Sequence, residues 1–341
     1  AMSRTVVHDI ALVLFTTLAL YQFWLALVDP ERRRLCFLLF YVAVAGAVLA
    51  KGPLGMVLPA LVIGPFLLLT RRWGLVREMR LGWGALIVLA LVSPWYLMMS
   101  LRNEGYLSYF LIEKTLGSFT SEESTPPAPW HFDIPVFLGA LLPWSAFLPA
   151  AVYRAWKRLA GEKREAIIYL LLWFGTMFLF FSAATSKLVT YLLPLMPAVA
   201  LLIGMLWAEA KTPPQPARRG LQIWSHLPVV VVVIEGCIYV WLNPPVELEV
   251  KNGITQPQIA ALLVVITVGA GMAMGFLAVG RSRAAFGSIV GGVMAGLVLF
   301  AGWFGPSMDP YRSTRQLALE FDRVLPQGQP MVFHWREKDS A

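Results

Sequence analysis

The amino-acid sequence predicts an all-α integral membrane fold of about ten transmembrane helices, with an extracytoplasmic interfacial helix and loop. Three observations carry that prediction. First, 58% of the 341 residues are hydrophobic and only 14% are charged, where a water-facing surface needs roughly a quarter charged residues. Second, the apolar residues fall in runs of the length that crosses a bilayer as a helix, about 17–25 residues. Third, the basic residues alternate along the chain in the way that membrane insertion imposes on cytoplasmic loops.

The runs lie at 7–28, 35–50, 54–70, 82–100, 134–153, 166–182, 190–208, 227–243, 258–280 and 284–304. The second and third are parted only by Lys51-Gly52-Pro53, a tight-turn sequence. Loops 29–34, 71–80, 154–165, 209–226 and 281–283 hold 3, 4, 5, 3 and 2 Lys or Arg. The intervening short loops hold one each (Lys51, Lys187, Lys251), and the longer 101–133 loop holds Arg102 and Lys114. This alternation assigns the basic loops to the cytoplasm, and 51–53, 101–133, 183–189, 244–257 and the C-terminus to the outside. The formal charge of +8 is therefore a topology signal and not a nucleic-acid footprint, and no nucleic-acid partner is expected. Cys36 and Cys237 sit in apolar runs without ligand spacing and read as small hydrophobes.

On this topology the first helix begins outside. No basic n-region or cleavage site marks a signal peptide, and an even number of crossings with both ends outside reads as a chain whose earlier helices are absent. Residues 1–305 are expected to form the membrane domain, and 306–341 an extracytoplasmic tail or the stump of a soluble domain. Within the 101–133 loop, Leu107, Phe110, Leu111 and Lys114 recur at helical spacing, with Tyr109 and Glu113 on a neighbouring face. An interfacial helix with its tyrosines at headgroup depth fits that pattern. The following Ser124-Thr125-Pro126-Pro127-Ala128-Pro129-Trp130-His131 reads as a stiff extended strap.

Ionisable groups near membrane depth are the informative ones, because lipid penalises a buried charge. Asp9, next to His8, is either a carboxylate near the positive helix end and the headgroups or one facing an outer cavity. Lys51 either snorkels to ordinary lipid phosphates or holds a lipid-phosphate ligand. Lys187 lies in a hydroxyl-rich turn, Ser182-Ala183-Ala184-Thr185-Ser186-Lys187-Leu188-Val189-Thr190-Tyr191, where surrounding donors suit an anion. Glu113 and Lys114 are either a solvated pair or site residues; Glu104 reads as a loop charge. His131, with no second histidine nearby, is weak as a metal ligand. Glu235 is the one acid deep in a predicted span and stays open between a functional carboxylate and a protonated, hydrogen-bonded one. No nucleophile elbow, phosphate-binding loop or dinucleotide fingerprint is present.

Four stretches in order resemble the GT-C superfamily of integral-membrane glycosyltransferases, most nearly the bacterial lipid A 4-amino-4-deoxy-L-arabinose transferases and protein O-mannosyltransferase-like enzymes. They are Asp9-Ile10-Ala11-Leu12; Ala50-Lys51-Gly52-Pro53-Leu54; Ser93-Pro94-Trp95-Tyr96 with the tyrosine-rich helix and Pro143-Trp144; and Phe180-Phe181-Ser182 with Ser186-Lys187-Leu188-Val189-Thr190-Tyr191-Leu192-Leu193-Pro194. The resemblance runs over roughly residues 5–210. It implies a multi-pass protein of the bacterial inner membrane that moves a sugar from a polyprenyl-phosphate donor to a lipid, glycan or protein acceptor outside the membrane. Lys51, Lys187 and Tyr191 become the implied donor-phosphate residues, and Tyr106, Tyr109, Lys114 and His131 the acceptor cavity. The family's proposed carboxylate base lies in an earlier loop, which leaves Asp9 and Glu113 as the stand-ins within this sequence. Where relatives often carry Glu-His, this chain has Glu113-Lys114, and a protonated lysine cannot ligate. No cofactor is therefore expected, with a divalent metal left open. The rival class, a transporter or flippase of lipid-linked substrates, predicts polar groups threaded through several spans; here the polar residues gather toward one face.

Overall fold

The computed structural model describes residues 8–103, 105–106, 130–184, 189–208 and 254–312. Among these residues the regular structure is helical, with no strand. Nine of the ten predicted runs fall on described residues, and each is occupied by helix; the run at 227–243 lies outside them. Seven helices are long and apolar enough to cross a membrane, or eight if one bent pair is a single span. A shorter apolar helix, Leu54–Thr70, fills the third run.

The helices are α1 (His8–Val28), α2 (Arg33–Lys51), α3 (Leu54–Thr70), α4 (Gly74–Met79), α5 (Leu81–Arg102), α6 (Asp133–Ala140), α7 (Leu148–Lys157), α8 (Arg164–Ala183), α9 (Met196–Ala208), α10 (Gln256–Ala278), α11 (Ser282–Leu299) and α12 (Gly305–Arg312). The described residues fall into two compact units, one comprising 8–103, 105–106, 130–184, 189–208 and 272–287, the other 254–271 and 288–312.

In the larger unit α1 lies along α2, and α2 also packs on α3 and α5, while α8 packs on α3. The centre is aromatic. Phe23 is fully buried, with the rings of Phe37, Phe40, Phe66 and Tyr169 at 6.5, 6.4, 6.1 and 6.1 Å. The tyrosine hydroxyls within this apolar mass find carbonyls: Tyr169 donates to Leu20 at 2.8 Å and Tyr41 to Met79 at 3.0 Å. An unpaired hydroxyl there would cost more than either bond contributes.

The predicted single span at 134–153 is the main departure. It is a bent pair, α6 and the helical stretch Trp144–Lys157, meeting at 110°. Pro143 explains the break, since it lacks an N–H and its ring clashes with the preceding turn. The α7 half is amphipathic: Ala151 and Ala155 are buried, whereas Tyr153 and Trp156 are more than half exposed.

Charged side chains tie the basic loops of this unit together. The Arg33 side chain donates to the Ala26 carbonyl at 2.9 Å and pairs with Glu78 on α4. Arg72 pairs with Glu165, in the first turn of α8, at 2.9 Å. Arg71 and Arg80, at φ 56° and 50°, turn the chain into and out of the short segment holding α4.

In the smaller unit α10 and α11 approach through glycine. A Cβ added at Gly269 would lie 3.2 Å from the Gly292 Cα and 3.2 Å from the Ser288 carbonyl oxygen. The start of α10 is capped by the Gln258 side chain. The Thr255 amide donates to the Gln258 Oε1 at 2.8 Å, satisfying a donor that the helix itself leaves orphaned. The Gln258 amide nitrogen in turn donates to the Trp303 carbonyl at 3.2 Å and the Ser307 hydroxyl at 2.9 Å. Trp303 lies in a π-helical turn, Phe300–Phe304, that precedes α12.

Candidate functional site

Three chain segments that the charge pattern assigns to the outside meet at one end of the larger unit. The first is the opening turn of α1, carrying Asp9, whose side chain is 11% exposed. The second is the final residue of α2, Lys51. The third is the 3-10 segment Val189–Leu195, carrying Tyr191. The Lys51 ammonium pairs with the Asp9 carboxylate and sits 4.4 Å from the centroid of the Tyr191 ring.

The local sequence positions each group. Lys51 ends its helix because Gly52 adopts φ 65°, a left-handed conformation that favours glycine, and Pro53 follows. The Gly52 amide closes the turn on the Val48 carbonyl at 2.7 Å. Tyr191 stacks on Phe181, at the outer end of α8, at 5.7 Å and 30°. The 3-10 segment is anchored by the Trp173 indole, which donates to the Pro194 carbonyl at 2.9 Å. Asp9 stands in the first turn of α1, where the helix dipole favours a negative charge.

A second tyrosine group abuts the same helix end. Tyr96 of α5 donates to the Val48 carbonyl at 3.4 Å, and its ring lies 6.5 Å from that of Tyr106. Tyr106 thus reaches the last turn of α2 through one intervening ring. The sequence marks Tyr96 as part of a motif without giving it a role; its signal is a position about one turn before the end of an apolar run. His131 is exposed in the 3-10 turn Trp130–Phe132. Asp133, which follows it, is 4% exposed at the start of α6. Sequence reasoning misses this residue too; an acid directly after a proline-rich strap is the available signal.

Tyr109, Glu113, Lys114, Lys187, Glu104 and Glu235 lie outside the described residues. Among the described residues no three His, Cys, Asp or Glu side chains come together as metal ligands. What the described cluster offers is a cation presented on an aromatic face and countered by one carboxylate.

Comparison with known proteins agrees with this reading of the fold. Residues 1–109 match the family described as dolichyl-phosphate-mannose-protein mannosyltransferase. The undecaprenyl phosphate-alpha-4-amino-4-deoxy-L-arabinose arabinosyl transferase of Pseudomonas aeruginosa (strain UCBPP-PA14) is 34% identical over 268 residues, covering 76% of this chain and 46% of the relative. Its counterpart in Photorhabdus laumondii is 28% identical over 293 residues, 83% of this chain and 51% of the relative. The crystal structure of ArnT from Cupriavidus metallidurans bound to undecaprenyl phosphate superimposes with a TM-score of 0.73 at 22% identity, covering 95% of this chain and 58% of that one. The chain thus spans about half the length of the curated relatives it matches. It is a multi-pass protein of the bacterial inner-membrane type. In sequence and in fold, its likeness is to the GT-C integral-membrane glycosyltransferases of the lipid A arabinose transferase type, as its motifs imply.

Proposed function

We propose that this chain forms the carrier-binding part of a glycosyltransferase that moves a sugar, a pentose in the relatives' names, from a polyprenyl-phosphate donor to a lipid acceptor outside the membrane. The observation that supports this best is the Lys51 ammonium held between Asp9 and the Tyr191 ring at one end of the bundle. When such a donor reacts, negative charge grows on the departing lipid phosphate, and a fixed cation beside it lowers the barrier. Lys51 takes that role, with Lys187 as the second cation from the turn that leads into Tyr191. Asp9 acts as a positioning residue, holding Lys51 on the ring until the phosphate replaces it. Tyr106, Tyr109, Lys114 and His131 are assigned to the acceptor side. In this orientation the C-terminal residues 306–341 lie outside the membrane with the site.

Binding of undecaprenyl phosphate to purified protein tests the assignment. Lys51→Ala and Lys187→Ala are each expected to weaken binding by about tenfold to a hundredfold, the loss of one charge-assisted hydrogen bond. Lys51→Arg retains part of the affinity, since the charge stays but the larger planar head fits the ring and carboxylate differently. Unchanged affinity in both alanine variants, with helical content intact, overturns the proposal.

A further inference from the structure

We infer that α7 does not complete a span but lies in the plane of the membrane, anchored in the phospholipid headgroup layer on the side that the charge pattern assigns to the cytoplasm. The level at which α7 begins is the first ground. Phe147, the residue before α7, is fully buried, and its ring lies 5.2 Å from that of Trp207. Trp207 is the penultimate residue of α9, at the edge of the basic loop 209–226. Trp144 lies 5.4 Å from Phe286, which follows the basic turn 281–283 by three residues, and Phe286 lies 5.5 Å from Trp207. Two other spans thus mark where the apolar layer ends, and the chain has reached that level before α7 starts. The descent is made alongside α8, where Phe137 of α6 packs on Phe174 and Phe178 at 5.9 and 5.7 Å. The 110° bend then turns Trp144–Lys157 sideways.

The two faces of α7 suit that position. Leu148, Ala151 and Ala155 recur at helical spacing and are buried, and α7 packs on α9. On the opposite flank Tyr153 is 56% and Trp156 66% exposed, and the Lys157 ammonium lies 5.7 Å from the Tyr153 ring centroid. A flank turned to water would expose charges, and one turned to acyl chains would expose aliphatic groups. Two amphipathic rings beside a lysine fit the zone between, where the rings lie among glycerol groups and the ammonium reaches the phosphates. The helix holds no acid, and the exposed Lys163 and Arg164 beyond it extend the same positive edge. That charge complements phospholipid heads and leaves nothing on the flank to repel them.

The test is the depth of spin labels on the full chain in nanodiscs of phosphatidylethanolamine and phosphatidylglycerol. Labels are carried singly by Pro149→Cys, Tyr153→Cys and Trp156→Cys in a background of Cys36→Ala and Cys237→Ala, with Gly161→Cys as the reference in water. Relaxation by oxygen and by a water-soluble nickel chelate reads the depth of each. All three labels are expected at one level, within a few ångströms of each other, about 5–10 Å into the boundary between headgroups and acyl chains. A helix that crosses would instead spread positions 149 to 156 over about 10 Å, at about 1.5 Å per residue. Each label is a separate variant on an exposed position, so two that fold are enough to measure the slope. A spread of that size overturns the in-plane placement. Nickel access at 153 and 156 equal to that at 161 overturns the contact with lipid, and exclusion of both reagents there shows that protein covers the flank and overturns it as well.

Discussion

The Phe23 cluster and the Gly269–Gly292 crossing solve one problem in opposite ways. Around Phe23, four rings stand off at 6.1 to 6.5 Å, and helices are held by interlocked side chains. At Gly269 and Gly292 there are no side chains to interlock, and backbone meets backbone. Lipid tails are as apolar as leucine, so hydrophobicity alone gives two helices little reason to associate within a bilayer. Shape must do it, either by filling space with large rings or by leaving none to fill. The first way is sensitive to removal of atoms and the second to their addition.

Mutations can break that contrast in order of expected size. Phe23→Ala should cost most, about 3–5 kcal/mol, because a fully buried ring leaves a cavity that four surrounding rings cannot all close. Equilibrium unfolding in mixed micelles measures it, and a loss below about 1 kcal/mol would mean that the cluster repacks. Gly292→Ile should follow at about 1–3 kcal/mol, the range for overpacking a tight contact, whereas the same change at Gly291, with open space around it, should be nearly silent. Gln258→Leu should cost least, about 0.6–1.7 kcal/mol, as found for polar contacts between membrane helices. If Gln258→Leu exceeds Gly292→Ile, the smaller unit is held by its polar cap and not by backbone approach.

Much of this fold is legible in the amino-acid sequence. Apolar length and basic alternation mark the spans because a bilayer imposes both on every crossing independently, without reference to neighbours. Which helices touch is not legible. Asp9 and Lys51 stand out separately as charges near the ends of apolar runs, but their pairing depends on how α1 and α2 bring together residues 42 positions apart. The Tyr191 ring over Lys51 depends further on a 3-10 segment anchored by an indole more than twenty residues away in α8. The 110° bend at Pro143 is hidden for another reason. A proline inside an apolar run is tolerated in membrane helices when neighbours satisfy the freed carbonyls, so Pro94 within α5 and Pro143 look alike in sequence. Only the latter ends a helix.

The ties among the basic loops have a mechanical consequence. Arg33 fastens the ends of α1 and α2 to α4, and Arg72 fastens the α3–α4 joint to α8. Four spans are thereby gathered at one level, like ribs of a fan at the rivet. Rigid helices gathered in this way spread least near the rivet and most at the free rim, and a small pivot below becomes a larger gap above. The rim carries Lys51, Asp9 and Tyr191. On the proposed function, a lipid tail would be admitted at that rim, beside those residues, and not at the tied face.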